Sequence, residues 1–138
     1  MTLGSSYPGG NEAQLLQAVS AAVRASDLQR AFEMADAALA RGFQHPTFFN
    51  ARALWLQEQG RYQEALTDFQ RARTLTPQDP ILLNAIGLCL MRLNRMHDAI
   101  ASFDASIAID PKLAQAHYRK GWAYGQTGDH QRVHHLVF

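Results

Sequence analysis

The chain has 138 residues, 13 basic against 12 acidic, and 47% hydrophobic content, one domain's worth of protein with enough apolar surface to bury a real core. A net charge of +1 supplies no field to draw nucleic acid or an anionic membrane, so neither is an expected partner. No run of about 18 apolar residues offers a membrane span, and a lone Cys89 cannot close an internal disulfide, which fits a reducing, cytoplasmic setting.

Residues 1–11, MTLGSSYPGGN, are small and turn-forming, lack the charged-then-apolar order of a signal segment, and read as a flexible leader. From there apolar residues recur at helical spacing and predict helices near 12–25, 28–42, 46–59, 62–75, 80–93, 96–109 and 114–127, with a further one from about 130. The first pair carries Leu15, Ala18, Ala22, Leu28, Ala31, Phe32, Ala35, Ala38 and Leu39 on its packing faces. In the next pairs small residues, Ala53 with Ala65 and Gly87 with Ala99, stand where two antiparallel helices must approach closely. Gly60, Asn94 and Gly128 tolerate the left-handed backbone that ends a helix, so they place the turn inside each hairpin. Pro77 and Pro111 stop the second helices, and Pro46 and Pro80 suit the first turn of the next.

These marks are periodic. Displaced by 34 residues, FFNARALWLQEQGRYQEALTDFQRARTLTP falls on LLNAIGLCLMRLNRMHDAIASFDASIAIDP, and then HYRKGWAYGQTGDHQRV follows in the same register. The matching columns hold Ala53, Gly87 and Gly121; Ala65 and Ala99; Phe69 and Phe103; Pro77 and Pro111. In these residues the chain resembles the tetratricopeptide repeat family over residues 12–138, with repeats at about 12–45, 46–79 and 80–113 and an incomplete fourth at 114–138. The first repeat departs from the pattern: Val19 occupies the small-residue column, and Ala35 stands where Phe69 and Phe103 stand later.

The resemblance implies an all-α fold, a right-handed superhelix of antiparallel hairpins whose first helices line a concave surface, the family's usual binding site. In that register the inward columns are Leu16, Asn50, Asn84 and Tyr118; Ser20, Leu54, Leu88 and Trp122; Val23, Gln57 and Met91. The expectation is an apolar groove that recognises an apolar, largely uncharged peptide segment: Asn50 and Asn84 grip the backbone of the extended peptide, Leu54, Leu88, Met91 and Trp122 hold its side chains, and Leu16 and Tyr118 complete the concave face. A structural alternative has the two asparagines facing solvent or a loop, and Leu54 and Leu88 covering their own hairpins. One branch of the family captures acidic chaperone tails with lysines, asparagines and an arginine; its columns here hold Asn50, Leu54, Ala85, Gln115 and Arg119, and only Arg119 matches. The asparagine ladder of the family's sugar transferases lies one residue further along each helix than Asn50 and Asn84.

Catalysis would need a nucleophile with a base, or paired carboxylates in a cleft, and no such pattern occurs. Asp98, Asp104 and Asp110 spread along a helix flank and solvate it. YPGGN lacks the lysine and the strand-to-helix setting of a phosphate loop. Cys89, between Leu88 and Leu90, reads as a buried inert thiol. His130 and His134 share a helix face, and His134 meets His117 in register, but no carboxylate or cysteine completes a set, so neither a metal nor a cofactor is expected.

After Gly128 the second helix of the fourth hairpin is due, yet His130 and His134 occupy its apolar columns and no polar-faced capping helix follows. Tyr118, Trp122 and Tyr124 are thereby left as aromatic surface, which points to a truncated product that self-associates through this end. The function expected is a non-enzymatic scaffold or adaptor that binds a peptide segment of a partner protein. The alternatives are the substrate-recruiting repeat region of a larger enzyme, such as a transferase, and a self-assembling structural module.

Overall fold

A computed structural model of the chain describes residues 10–128. These residues fold into α1 (Glu12–Arg24), α2 (Leu28–Ala40), α3 (Pro46–Glu58), α4 (Tyr62–Leu75), α5 (Pro80–Arg92), α6 (Met96–Ile109) and α7 (Ala114–Thr127). Every helix starts where the apolar pattern starts it. The helix expected from about residue 130, the pair His130 and His134, and residues 1–9 of the leader lie outside the described residues.

Local chemistry explains the starts. Asn11, the last residue of the expected leader, caps α1: its side chain accepts from the Gln14 N–H at 3.0 Å while the Gln14 side chain accepts from the Asn11 N–H at 3.0 Å. Asp27 and Asp79 cap α2 and α5 through the N–H groups of Arg30, Ile81 and Leu82. Pro46 and Pro80 each open a helix, where the missing N–H has no intrahelical partner to lose.

The ends show a recurring joint. Ser26, Gly60, Asn94 and Gly128 have φ of 60°, 75°, 62° and 83°, the left-handed region, each 34 residues after the one before. Ser26 had no sequence signal, because serine is not a residue type that favours this conformation. Before three of these residues stand Ala25, Gln59 and Leu93 with ψ of 0°, 2° and 7°, no longer helical, so α1, α3 and α5 stop one residue earlier than the apolar pattern suggests. α2 stops two residues early, at Ala40, where Arg41 and Gly42 turn the chain.

The described residues divide into two compact units, one up to Leu75 and one from Thr76. In the first, α1 packs on α2, α2 on α3, α3 on α4, and the two first helices α1 and α3 touch. Leu15, Val19, Met34, Ala35, Phe48 and Ala51 form its core cluster. Val19 and Ala35 are both fully buried, so the volume that later hairpins place on the second helix sits here on the first. In the second unit α5 packs on α6, α6 on α7, and α5 meets α7. Gly87 of α5 is required there: a Cβ on it would lie 2.4 Å from Phe103 Cε1 of α6, so the small-residue column makes room for a phenyl ring. Ser106, fully buried on α6, donates its hydroxyl to the Pro80 carbonyl at 2.7 Å and pins the start of α5. Phe48, Phe69 and Phe103 are closed off from solvent, each worth roughly 2–3 kcal/mol of burial.

Candidate functional site

In the second unit the candidate face is built by α5 and α7. Asn84, Leu88 and Met91 recur at helical spacing along α5, and Gln115, Arg119 and Trp122 along α7. One contact sets the helices' alignment: the Asn84 Nδ2 donates to Gln115 Oε1 at 3.4 Å, at the outer limit of a hydrogen bond. Asn84 is only 4% exposed, and its Oδ1 is the one buried side-chain oxygen or nitrogen among the described residues that has no hydrogen-bond partner. Leu88 is half-buried. Tyr118 and Trp122 of α7 stand out at 76% and 45% exposure.

The placement differs from an open groove wall at two positions: Asn84 and Met91 are buried. In the first unit Asn50 and Leu54 of α3 are half-buried, and Leu16 of α1 is partly buried against the α1–α2 core, so packing claims much of it.

The first unit also holds a polar network outside the columns named from the sequence. Arg52 of α3, its side chain 21% exposed, donates to both carboxylate oxygens of Asp68 on α4 at 2.8 and 2.9 Å, and to Asp36 of α2 at 2.9 Å. The Asp68 side chain is 5% exposed. The hydrogen bond that Arg52 donates to Asp68 outweighs desolvation, and with the one to Asp36 it holds the Arg52 guanidinium above its ordinary pKa. Cavities of about 460 and 320 Å³ flank this bridge, the larger walled by Leu39, Phe49 and Leu75 and the smaller by Phe32 and Leu56. Its one sequence signal is a charge at Asp68, directly before Phe69, on a helix face that is otherwise core.

The groups considered for chemistry are engaged elsewhere. Asp98 pairs with Arg95 at 2.9 Å, Asp104 with Lys120 at 2.6 Å, and Asp110 accepts from the Lys112 N–H at 3.1 Å. Cys89 is buried, and desolvation pushes its thiol up to about 12, far from a reactive thiolate. His117 Nε2 lies 2.8 Å from the Pro111 carbonyl. Among the described residues no three His, Cys, Asp or Glu side chains gather to hold a metal ion, and no helix is long and apolar enough to cross a membrane.

Helix hairpins jointed at a fixed interval place the molecule in the class of helical-repeat proteins. The family model described as tetratricopeptide repeat matches residues 16–80 and again 50–114. The chain belongs to the tetratricopeptide repeat family. Tetratricopeptide repeat protein 28 of Homo sapiens is 30% identical over 120 residues, 83% of this chain and 5% of that protein. Its Mus musculus counterpart is 33% identical over 89 residues, 64% of this chain and 4% of the relative, so the chain spans a small part of the length of either. Among solved structures, YrrB, described as a tetratricopeptide repeat protein with an unusual peptide-binding site, superposes with a TM-score of 0.80 at 24% identity, over 89% of this chain and 63% of its own. MamA 41-end from Desulfovibrio magneticus RS-1 superposes with 0.82 at 20% identity, over 92% and 72%. At these identities the likeness is one of fold. Family and fold are those of protein-interaction modules, which are typically non-catalytic.

Proposed function

We propose that the chain acts as a non-enzymatic adaptor and that the α5–α7 face of its second unit binds a peptide segment of a partner protein. The observation that carries this is Asn84. A buried amide oxygen without a partner costs about 1–3 kcal/mol, and a protein keeps such a group where something else satisfies it. Its neighbour Gln115 is an exposed side chain held by one long bond, free to swing aside. A peptide N–H then reaches Asn84 Oδ1, and the exposed rings of Tyr118 and Trp122, with Leu88 beside them, cover apolar side chains. YrrB, of the same fold, is described as binding a peptide, which supports the reading.

The test is capture from a peptide array by the wild-type chain, Asn84→Ala and Leu88→Asp, each checked for helix content by circular dichroism. Capture falls in both variants on this reading; equal capture by all three proteins removes it. Exposure of Tyr118 and Trp122 also favours a second reading, association of copies through α7. Light scattering across a hundredfold concentration range separates the two, because a mass that stays monomeric throughout excludes the second.

A further inference from the structure

Arg52 of α3 stands in a column that the next hairpin fills with Ile86, 34 residues on and fully buried. Its two acids have no charged counterparts there either: Gln70 occupies the column of Asp36, and Ser102 that of Asp68. The repeat thus packs with an apolar side chain at this position, and a buried ion pair is commonly no more stabilising than apolar residues of similar volume. The charged trio is not what a hairpin needs in order to fold, and it stands beside an opening.

That opening is the larger of the two cavities flanking the bridge, about 460 Å³, within the range of roughly 300–1,000 Å³ typical of small-ligand sites. Residues of α2, α3 and α4 line it. Phe49 and Arg52 lie on the side of α3 away from Asn50 and Leu54, so the cavity is separate from the columns read from the sequence.

Its chemistry carries both signs. Arg52 is committed, with two bonds to Asp68 and one to Asp36 Oδ1. Asp36 and Arg71, each more than half exposed, keep bonding capacity at the cavity. The second carboxylate oxygen of Asp36 accepts no hydrogen bond among the described residues. Arg71 lies 3.9 Å from Asp68, too far for a hydrogen bond, so its guanidinium retains its donors. Leu39, Phe49 and Leu75 supply apolar wall. Two guanidiniums stand against two carboxylates. A simple anion would meet Asp36 and a simple cation would meet Arg71, whereas a molecule bearing both charges satisfies both groups.

We infer that this cavity binds a small apolar zwitterion, a free amino acid or a dipeptide, whose ammonium meets Asp36, whose carboxylate meets Arg71, and whose side chain rests on Leu39, Phe49 and Leu75. The cavity lies in the other unit from the α5–α7 face, and neither reading depends on the other.

The probes are the free apolar L-amino acids and their homodipeptides, titrated into the isotope-labelled full chain and followed by amide chemical shifts. At least one of them is expected to move the amides of Leu39, Gln44, Thr74 and Leu75 saturably. Acetylating its amino group, or amidating its carboxylate, weakens binding about tenfold. Asp36→Asn costs the same and makes acetylation of the probe harmless, and Arg71→Gln does so for amidation. Circular dichroism checks that both variants keep wild-type helix content; the capped probes on the wild type decide the question even without them. Leu88→Asp binds the probes as the wild type does, so failure here leaves the α5–α7 face untouched. No saturable shift by about 10 mM, shifts centred elsewhere, or capped probes that bind as tightly as uncapped ones would overturn the site. Loss on capping one end alone overturns the zwitterion assignment.

Discussion

Replacing Arg52 by methionine tests how the first unit uses its buried charge. The change removes the two N–H donors, at 2.8 and 2.9 Å, that hold the Asp68 carboxylate, whose side chain is 5% exposed. Stripping one partner from a buried pair costs about 3–5 kcal/mol. Two features moderate that figure. Arg71 already lies 3.9 Å from Asp68 and is exposed enough to swing inward, recovering about 1 kcal/mol. Asp36 is half in solvent and loses little when its partner goes. The net expectation is roughly 2–4 kcal/mol, a fall in melting temperature of about 8–15 °C for a chain of this size. The decisive control is Arg52→Met with Asp68→Leu, which removes both charges and leaves no buried carboxylate, and which should return to within about 1 kcal/mol of the wild type. Calorimetry and urea titration of the three proteins measure this. A single variant that melts within about 2 °C of the wild type, or a double variant no more stable than the single, would refute the reasoning.

At the first joint, Ser26→Gly relieves a side chain from a φ of 60° and should stabilise the chain by about 1 kcal/mol, a melting temperature about 4 °C higher; no gain, or a loss, would mean that Ser26 is held there by something other than backbone geometry. Cys89, its thiol raised to about 12, should react with a thiol reagent at pH 8 about a thousandfold more slowly in the folded chain than in urea. The raised pKa favours folding below the ordinary thiol value of about 8.5. That contribution fades as pH climbs from there toward 12, so labelling should accelerate across the same interval. Rapid labelling at pH 8 under native conditions would show that the site opens.

The helices were legible because their signals are local. A proline at the first turn, a cap and a left-handed joint act within a few residues of where they stand, so Pro46, Pro80, Gly60 and Asn94 place boundaries without knowledge of the rest of the chain. Ser26 escaped because its conformation is imposed by the hairpin around it, against its own preference. The candidate site was legible only as a set of columns. Which members are open depends on what packs over them, and that is why Asn84 and Met91 are buried while Tyr118 and Trp122 are exposed. The Arg52 network left only the trace at Asp68 for a related reason: its acids lie on two other helices, sixteen residues to either side, and pair only once three helices have assembled.

The exchange of bulk between Val19 and Ala35 has a consequence for how such a chain can be rebuilt. Since α1 supplies the volume that α4 and α6 supply through Phe69 and Phe103, a first helix transplanted alone from a later hairpin would bring alanine or glycine to face alanine and open a void. Two helices with matched side chains, not one, are thus the smallest piece that can be cut out and grafted without leaving a hole or a clash.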